Sequence, residues 1–346
     1  MAQEMRQHDD HLPVGKLPAE LLGRLLSTYA MGDSAVVVGP GVGGDAAAIR
    51  VGGTTLVVKS DPITFATESP ARYLVDVNAN DLACLGASAR WMMVTALLPE
   101  RSTTEAAVEA HFRELRDACL ERGIALVGGH TEVTAGLERA ILVGVLLGEI
   151  GKSGLLTPGG GRPGDRLLLS KGIAIEGTAL LAREAGRTRL RELEPRLLER
   201  AAGLLAEPGI SVVAEAQAFL EAGGVTALHD PTEGGLATGV TELALACGCG
   251  AVVDRDAIPV LPETERIASA LGLDPLGMLA SGSLLAAADP DAVGRLVEAG
   301  ARISVAVTPI GELTERTGEL VLRSGTGDEP LPSFRSDETA RALSGA

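Results

Sequence analysis

The sequence predicts an α+β protein of two domains, with strands and helices mixed in both halves. Three observations carry that expectation. The chain has 346 residues, a length that favours two folding units over one. Short β-prone apolar runs alternate with helical periodicities, but too imperfectly for a doubly wound sheet. Between the halves lies Thr157-Pro-Gly-Gly-Gly-Arg-Pro-Gly164, whose composition is that of a linker. The expected division is residues 14–151, a linker 152–164, residues 165–312 and a tail 313–346, loose beyond Ser324 where it turns polar.

The first domain opens with a lead, residues 1–12, without apolar periodicity. A helix follows at Ala19–Tyr29, where Leu21, Leu22, Leu25 and Leu26 mark one face. Apolar runs at 35–38, 45–51 and 56–61 read as strands around a glycine-rich loop, Gly39-Pro-Gly-Val-Gly-Gly-Asp45, and a Gly52-Gly53 turn. Residues 70–85 read as a helix with Val75, Leu82 and Leu85 inward, 91–98 as a strand, and 103–122 as an amphipathic helix ended by Gly123. A strand at 124–127 runs into a Gly128-Gly129 turn, and 140–150 is another strand.

In the second half, strands are expected at 166–170, 225–228, 250–253, 283–288 and 304–310. Helices are expected at 177–184, 189–205, 212–217, 235–246, 262–271 and 290–299.

Composition narrows the function. The formal net charge is −16, with no basic block, which argues against a nucleic-acid partner. The four cysteines, at 84, 119, 247 and 249, are too scattered for a disulfide framework, which fits a reducing cytosol. Cys247-Gly-Cys249 reads as small buried residues near a helix end rather than a metal or redox pair. The opening residues lack the apolar core of a signal peptide. The longest apolar run, 140–147, is too short to span a bilayer, so no membrane partner is expected.

Acidic residues at loop and strand edges, interleaved with glycines, suit a magnesium–polyphosphate site. Hard oxygens hold the metal and glycines let backbone N–H groups approach phosphates. Gly41-Val-Gly43-Gly-Asp-Ala46, with Asp61 twenty residues after Gly41, also fits a dinucleotide fingerprint on paper. That motif needs a helix after its glycines. Here only six residues separate Asp45 from Gly52 before another β-like run begins, so a hairpin fits and a dinucleotide-binding oxidoreductase does not. No Walker A motif occurs.

Five stretches follow in order: Gly43-Gly-Asp45-Ala-Ala-Ala-Ile, Ser60-Asp61, Asn78-Ala-Asn80-Asp81-Leu-Ala-Cys-Leu-Gly86-Ala87, Gly128-Gly129 and His229-Asp230-Pro-Thr-Glu-Gly-Gly235. In that order and spacing the chain resembles the superfamily of AIR synthase, selenophosphate synthetase, thiamine-phosphate kinase and HypE, and most of all its HypE-like branch, over residues 14–312. The resemblance implies a two-domain PurM-like fold whose N-terminal sheet pairs across a homodimer, with ATP at the interface and Mg²⁺ on the motif carboxylates. It implies an enzyme that activates a carbonyl or amide-type oxygen by phosphorylation. The alternative is a nucleotide-binding maturation or regulatory partner without turnover.

Carried over residue by residue, Asp45, Asp61, Asp81 and Asp230 are the implied metal carboxylates. Asn80, Gly128 and Gly129 join Asp45, Asp61 and Asp81 in holding the nucleotide, and Asp230 and His130 are the catalytic candidates. Lys16 lies in a lead that could fold over phosphates. Four have a plainer alternative: Asp81 as a helix cap, Asp45 and Asp61 as turn residues, His130 as a hydrogen-bonded structural histidine. Lys171 and Glu176 are read as a solvated pair, with substrate contact as the alternative.

The chain also departs from the pattern. Gly44 replaces the first Asp of the family's Gly-Asp-Asp, His130 stands where many relatives carry an acid, and Glu233 replaces an Arg. HypE ends in a cysteine that carries the modified group, whereas no cysteine follows Cys249 here. The expected substrate is therefore a small molecule or a group carried by another protein.

Overall fold

The computed structural model describes residues 12, 17–44, 46–64, 70–185 and 189–344. Asp45 and Lys16 lie outside the described residues.

The first half builds one mixed sheet. Its strands are β1 (Val36–Val38), β2 (Ala47–Val51), β3 (Thr54–Ile63), β4 (Ala87–Pro99), β5 (Ala125–Thr134) and β6 (Ile141–Ile150), in the order β1-β2-β3-β6-β4-β5. All neighbours are antiparallel except β4 and β5. That parallel pair requires a crossover, supplied by a helix between them. The helices are α1 (Ala19–Tyr29), α2 (Pro70–Cys84) and α3 (Glu105–Glu121). The hydroxyl of Thr104 caps α3 by accepting from Ala107 N at 3.2 Å.

Period-two alternation divides the sheet into two unlike faces. Val57, Met92, Val94, Leu142 and Leu146 are buried under the helices. Their neighbours Trp91, Met93, Val143, Val145 and Leu147 fall on the other face and are half-buried or exposed. Helix α2 comes close because β6 carries glycine beneath it. A Cβ at Gly144 would lie 2.9 Å from Asn78 Nδ2, and one at Gly148 would lie 2.7 Å from Leu82 Cδ2.

The second half builds a seven-stranded sheet from β7 (Arg166–Ser170), β8 (Val225–His229), β9 (Gly250–Asp254), β10 (Leu285–Ala288), β11 (Val307–Thr314), β12 (Leu320–Ser324) and β13 (Gly327–Pro330), in the order β13-β12-β9-β11-β7-β10-β8. Its helices are α4 (Ile175–Glu184), α5 (Pro195–Gly203), α6 (Val213–Ala222), α7 (Gly235–Ala246), α8 (Pro262–Leu271), α9 (Val293–Arg302) and α10 (Glu338–Ser344). Strand β7 is covered on both faces. Leu168 joins Phe219 and Leu296 on one side, while Leu167 and Leu169 join Leu181 and Leu236 on the other.

The core containing Leu168 continues into the first half through α2. That helix packs on its own sheet and also against α6 and β8, so it is buried along nearly its whole length. A helix buried all round needs partners for every polar side chain it carries.

Several expectations are corrected. Gly128 and Gly129 are not a turn, because β5 runs through them to Thr134, held by β4. The helix expected at 189–205 starts at Pro195, whose fixed φ suits a first helical position. The segment beyond Ser324 is not loose: β13 extends the sheet, and Leu331 and Ala342 are buried in the second core. Lys171 and Glu176 are not solvated either. Lys171 Nζ pairs with Glu215 Oε1 at 2.7 Å with both side chains under 10% exposed (7% and 3%), and donates to Ser211 O at 2.7 Å.

Candidate functional site

Strand alternation places Lys59 and Asp61 on one face of β3, the helix-covered one, because Lys59 pairs with buried Leu146 and Asp61 with Gly144. Above them, Asp81 projects from α2. The Lys59 ammonium lies 3.1 Å from Asp81 Oδ2 and 3.5 Å from Asp61 Oδ2. Asp81 is 6% exposed and Asp61 34%, so one carboxylate is fixed in the interior and the other opens to solvent. Asp81 caps no helix start, because it lies in the last turn of α2.

One turn along α2, Cys84 shares the face of Asp81. Its thiol contacts Asp230 Oδ1 at 3.7 Å. Asp230 follows β8 and is buried, so this contact joins the second half to the carboxylates of the first. Beside it, His229 Nε2 lies 3.1 Å from Glu242 Oε2 on α7. The glycine-rich loop reaches the same helix. A Cβ at Gly43 would lie 2.9 Å from the Glu242 carbonyl oxygen, and Gly43 has φ +74°, so only glycine fits this approach.

Asn80 belongs to the same junction. Its amide nitrogen donates to Ile210 O at 2.9 Å and its oxygen accepts from Val212 N at 2.8 Å. Both ends of the amide hold α2 to the segment that leads into α6.

A further buried carboxyl, Glu176, lies at the start of α4. Burial pushes Glu176 up to about 7, a hydrogen bond from Ser281 opposes the shift, and Asp337 and Glu233 add repulsion. Burial also raises Asp337. Asp337 accepts from Gly234 N at 2.8 Å at the N-terminus of α7.

Gly128, Gly129 and His130 lie elsewhere. Gly129 shares a cross-strand row with Val94, Gly144 and Asp61, three strand spacings or roughly 14 Å from Asp61. Gly129 is required by packing, since a Cβ there would lie within 1.9 Å of Val94 O. His130 pairs across to Thr95 and so projects from the opposite, uncovered face with Met93 and Leu97. It is exposed and lies 3.1 Å from Glu132 Oε2. The Thr134 hydroxyl, and then His130, hold the Glu132 carboxyl below its ordinary value. Within one chain the sheet separates His130 from Asp230, so the two do not meet at one reacting atom.

A cavity of about 390 Å³ lies between α3 and β5, lined by Ala71, Val94, His111, Phe112, Leu115 and Gly129 among others. His130 and Thr131 also line it, and it carries no carboxylate. Helix α2, which packs over β3, β6 and β4, stands between it and Asp61.

The Asp61–Asp81 pair passes a test for a divalent cation. It already holds a positive charge between two hard oxygens, in the shape of the Lys59 ammonium. Among the described residues no group of three or more His, Cys, Asp or Glu is set to hold a metal. Magnesium is commonly bound by one or two carboxylates completed by waters and substrate phosphates, so two carboxylates suit that ion.

Sequence reasoning gave Lys59, Cys84 and Glu242 no role. Lys59 was visible as the same-face neighbour of Asp61 at i and i+2, and Cys84 as i+3 from Asp81. Nothing in the sequence ties Glu242 to His229 or to Gly43.

Apart from Gly128-Gly129, these motifs lie where two α+β halves meet, and the class follows: the chain belongs to the AIR synthase related protein family. The family's N-terminal domain model matches residues 43–150 and its C-terminal domain model residues 162–323. Within that family the chain is similar to proteins of the HypE kind. It is 31% identical over 293 residues to carbamoyl dehydratase HypE of Cupriavidus necator, covering 81% of this chain and 77% of that protein. It is 27% identical to carbamoyl dehydratase HypE of Rhizobium leguminosarum, covering 88% and 84%. Among solved structures, HypE of E. coli superimposes with a TM-score of 0.70 at 22% identity, over 93% of this chain and 99% of that one. HypE in complex with ATP gives 0.67 at 22% identity, over 91% of each. A HypE–HypF complex gives 0.72 at 17% identity, over 92% and 100%.

Proposed function

We propose that this protein is an Mg²⁺- and ATP-dependent enzyme that phosphorylates a carbonyl or amide-type oxygen, turning it into a leaving group. The observation that carries the reading is the Asp61–Asp81 pair, two carboxylates from different elements converging on one cation position at the junction of the two halves. Bound there, magnesium neutralises phosphate charge as it develops in phosphoryl transfer. Asp81 is the rigid member, fixed on a buried helix. Asp61 faces the solvent side from which a nucleotide arrives. Asp230 holds α2 through Cys84 and keeps Asp81 in register with the second half. The relatives named carbamoyl dehydratase and the HypE structure bound to ATP support the reading. The HypE–HypF complex supports a protein partner.

The active form in this reading is a homodimer. Among the described residues no helix packs over the face of the first sheet that bears Trp91, Met93, Val143, Val145 and Leu147, and a second copy covers it. His130 and Glu132 lie on that face, so any catalytic role of His130 is exercised across the interface.

The test is calorimetry with Mg²⁺ and ATP, alongside measurement of phosphate release. Asp61→Asn and Asp81→Asn are expected to weaken Mg-ATP binding sharply with the circular dichroism spectrum unchanged. Wild-type affinity in both variants overturns the site. Tight binding by the native protein without phosphate release, with its partner supplied, overturns the enzyme in favour of a nucleotide-binding partner.

A further inference from the structure

The seat between Asp61 and Asp81 contains a tethered cation of the protein's own. Lys59 is joined to Asp61 by a single intervening residue, and strand alternation keeps both on one face. The ammonium of Lys59, 17% exposed, lies within 3.5 Å of both carboxylates. Magnesium entering that seat must displace a positive charge that cannot diffuse away. Lys59 then gives up its contacts with these two carboxylates, and an anion that arrives with the metal compensates the ammonium beside it. The polyphosphate of a nucleotide is such an anion and brings oxygens that the metal also requires.

We infer that Lys59 is a built-in counter-ion that holds the Asp61–Asp81 seat against free divalent metal and releases it to metal that arrives with a polyphosphate. The inference rests on the reading of Asp61 and Asp81 as the metal carboxylates. It adds that metal and nucleotide bind as a coupled unit, with Lys59 as the element that couples them. Linkage makes the coupling reciprocal: nucleotide raises metal affinity by the factor by which metal raises nucleotide affinity. A purely structural ion pair predicts a loss of stability on removing Lys59 and no change in metal affinity. A counter-ion predicts a gain in metal affinity.

The experiment titrates Mn²⁺ into the full chain, by electron paramagnetic resonance of the free ion and by calorimetry, with and without a non-hydrolysable ATP analogue. In the native protein the analogue is expected to strengthen Mn²⁺ binding greatly. In Lys59→Gln, Mn²⁺ alone is expected to bind about tenfold tighter or more, because an adjacent unit charge has gone. The enhancement by nucleotide should shrink by a similar factor. Lys59→Arg keeps the charge and should still exclude free metal.

Equal Mn²⁺ affinity with and without the analogue in the native protein overturns the inference, whatever the variants do. So does Lys59→Gln with unchanged affinity for free Mn²⁺, or with weakened Mg-ATP binding and no gain for the free ion. In those cases Asp61→Asn and Asp81→Asn still report on the carboxylates, so the counter-ion can fail while the metal site stands. If neither Asp variant alters Mg-ATP binding, the underlying site has failed instead.

Discussion

Replacing Glu176 by Gln tests the electrostatics of the second half with a defined pH signature. The carboxyl is buried at the first turn of α4 beside Ser281, with Asp337 and Glu233 as like-charged neighbours, and is raised from its ordinary 4.5 to about 7. An acid with a raised native pKa binds its proton more tightly folded than unfolded. Its contribution to stability is therefore full below about pH 4.5, declines as pH rises to about 7, and stays low above that. At 1.36 kcal/mol per unit, the shift amounts to about 3 kcal/mol, an upper bound on what ionising this group costs the native state. Gln has nearly the same shape, can hydrogen-bond to Ser281, and carries no charge. The Glu176→Gln variant should match the native protein near about pH 4.5 and exceed it by up to about 3 kcal/mol near about pH 8. Urea unfolding followed by circular dichroism at a series of pH values measures the difference. A constant offset at every pH refutes the argument, because uncharged packing effects do not titrate.

Two further outcomes are expected. Asn80→Ala removes both hydrogen bonds to the 210–212 segment and leaves Ile210 O and Val212 N without those buried partners. At about 1–3 kcal/mol for each group, chemical denaturation should show a loss of about 2–6 kcal/mol; a loss under about 1 kcal/mol counts against the clamp. Val145→Asp puts a charge in the middle of the uncovered sheet face, beside Met93 and Ser60. Light scattering should find the native protein dimeric and this variant monomeric with its secondary structure intact, whereas a monomeric native protein removes the case for a second copy on that face.

The sequence by itself determined the class of fold and most of its elements. Near-continuous apolar, β-prone runs at 91–98 and 140–150, helical periodicity in 103–122, and glycines at turns are local properties, and neighbouring residues suffice to express them. It also marked Asp61, Asp81 and Asp230, since carboxylates at the edges of apolar runs, within the ordered motifs, stand out. Tertiary structure decided what those residues meet. Asn80 reads as a ligand candidate from its motif, yet its amide is engaged by backbone at Ile210 and Val212, far along the chain. Gly128-Gly129 reads as a turn because glycine permits one. Pairing with β4 instead holds the backbone extended, and the contact with Val94 O is what demands glycine at 129. The tail reads as loose from its polarity, but apolar side chains, Leu331 and Ala342, dock it on a core assembled by other elements. His130 lies on a strand next to one that carries part of the covered core, and a single step in register puts it on the far face. Lys59 was in view beside Asp61 from the start. Its meaning depends on Asp81 arriving from α2, and only packing across the sheet brings that carboxylate within 3.1 Å of the ammonium.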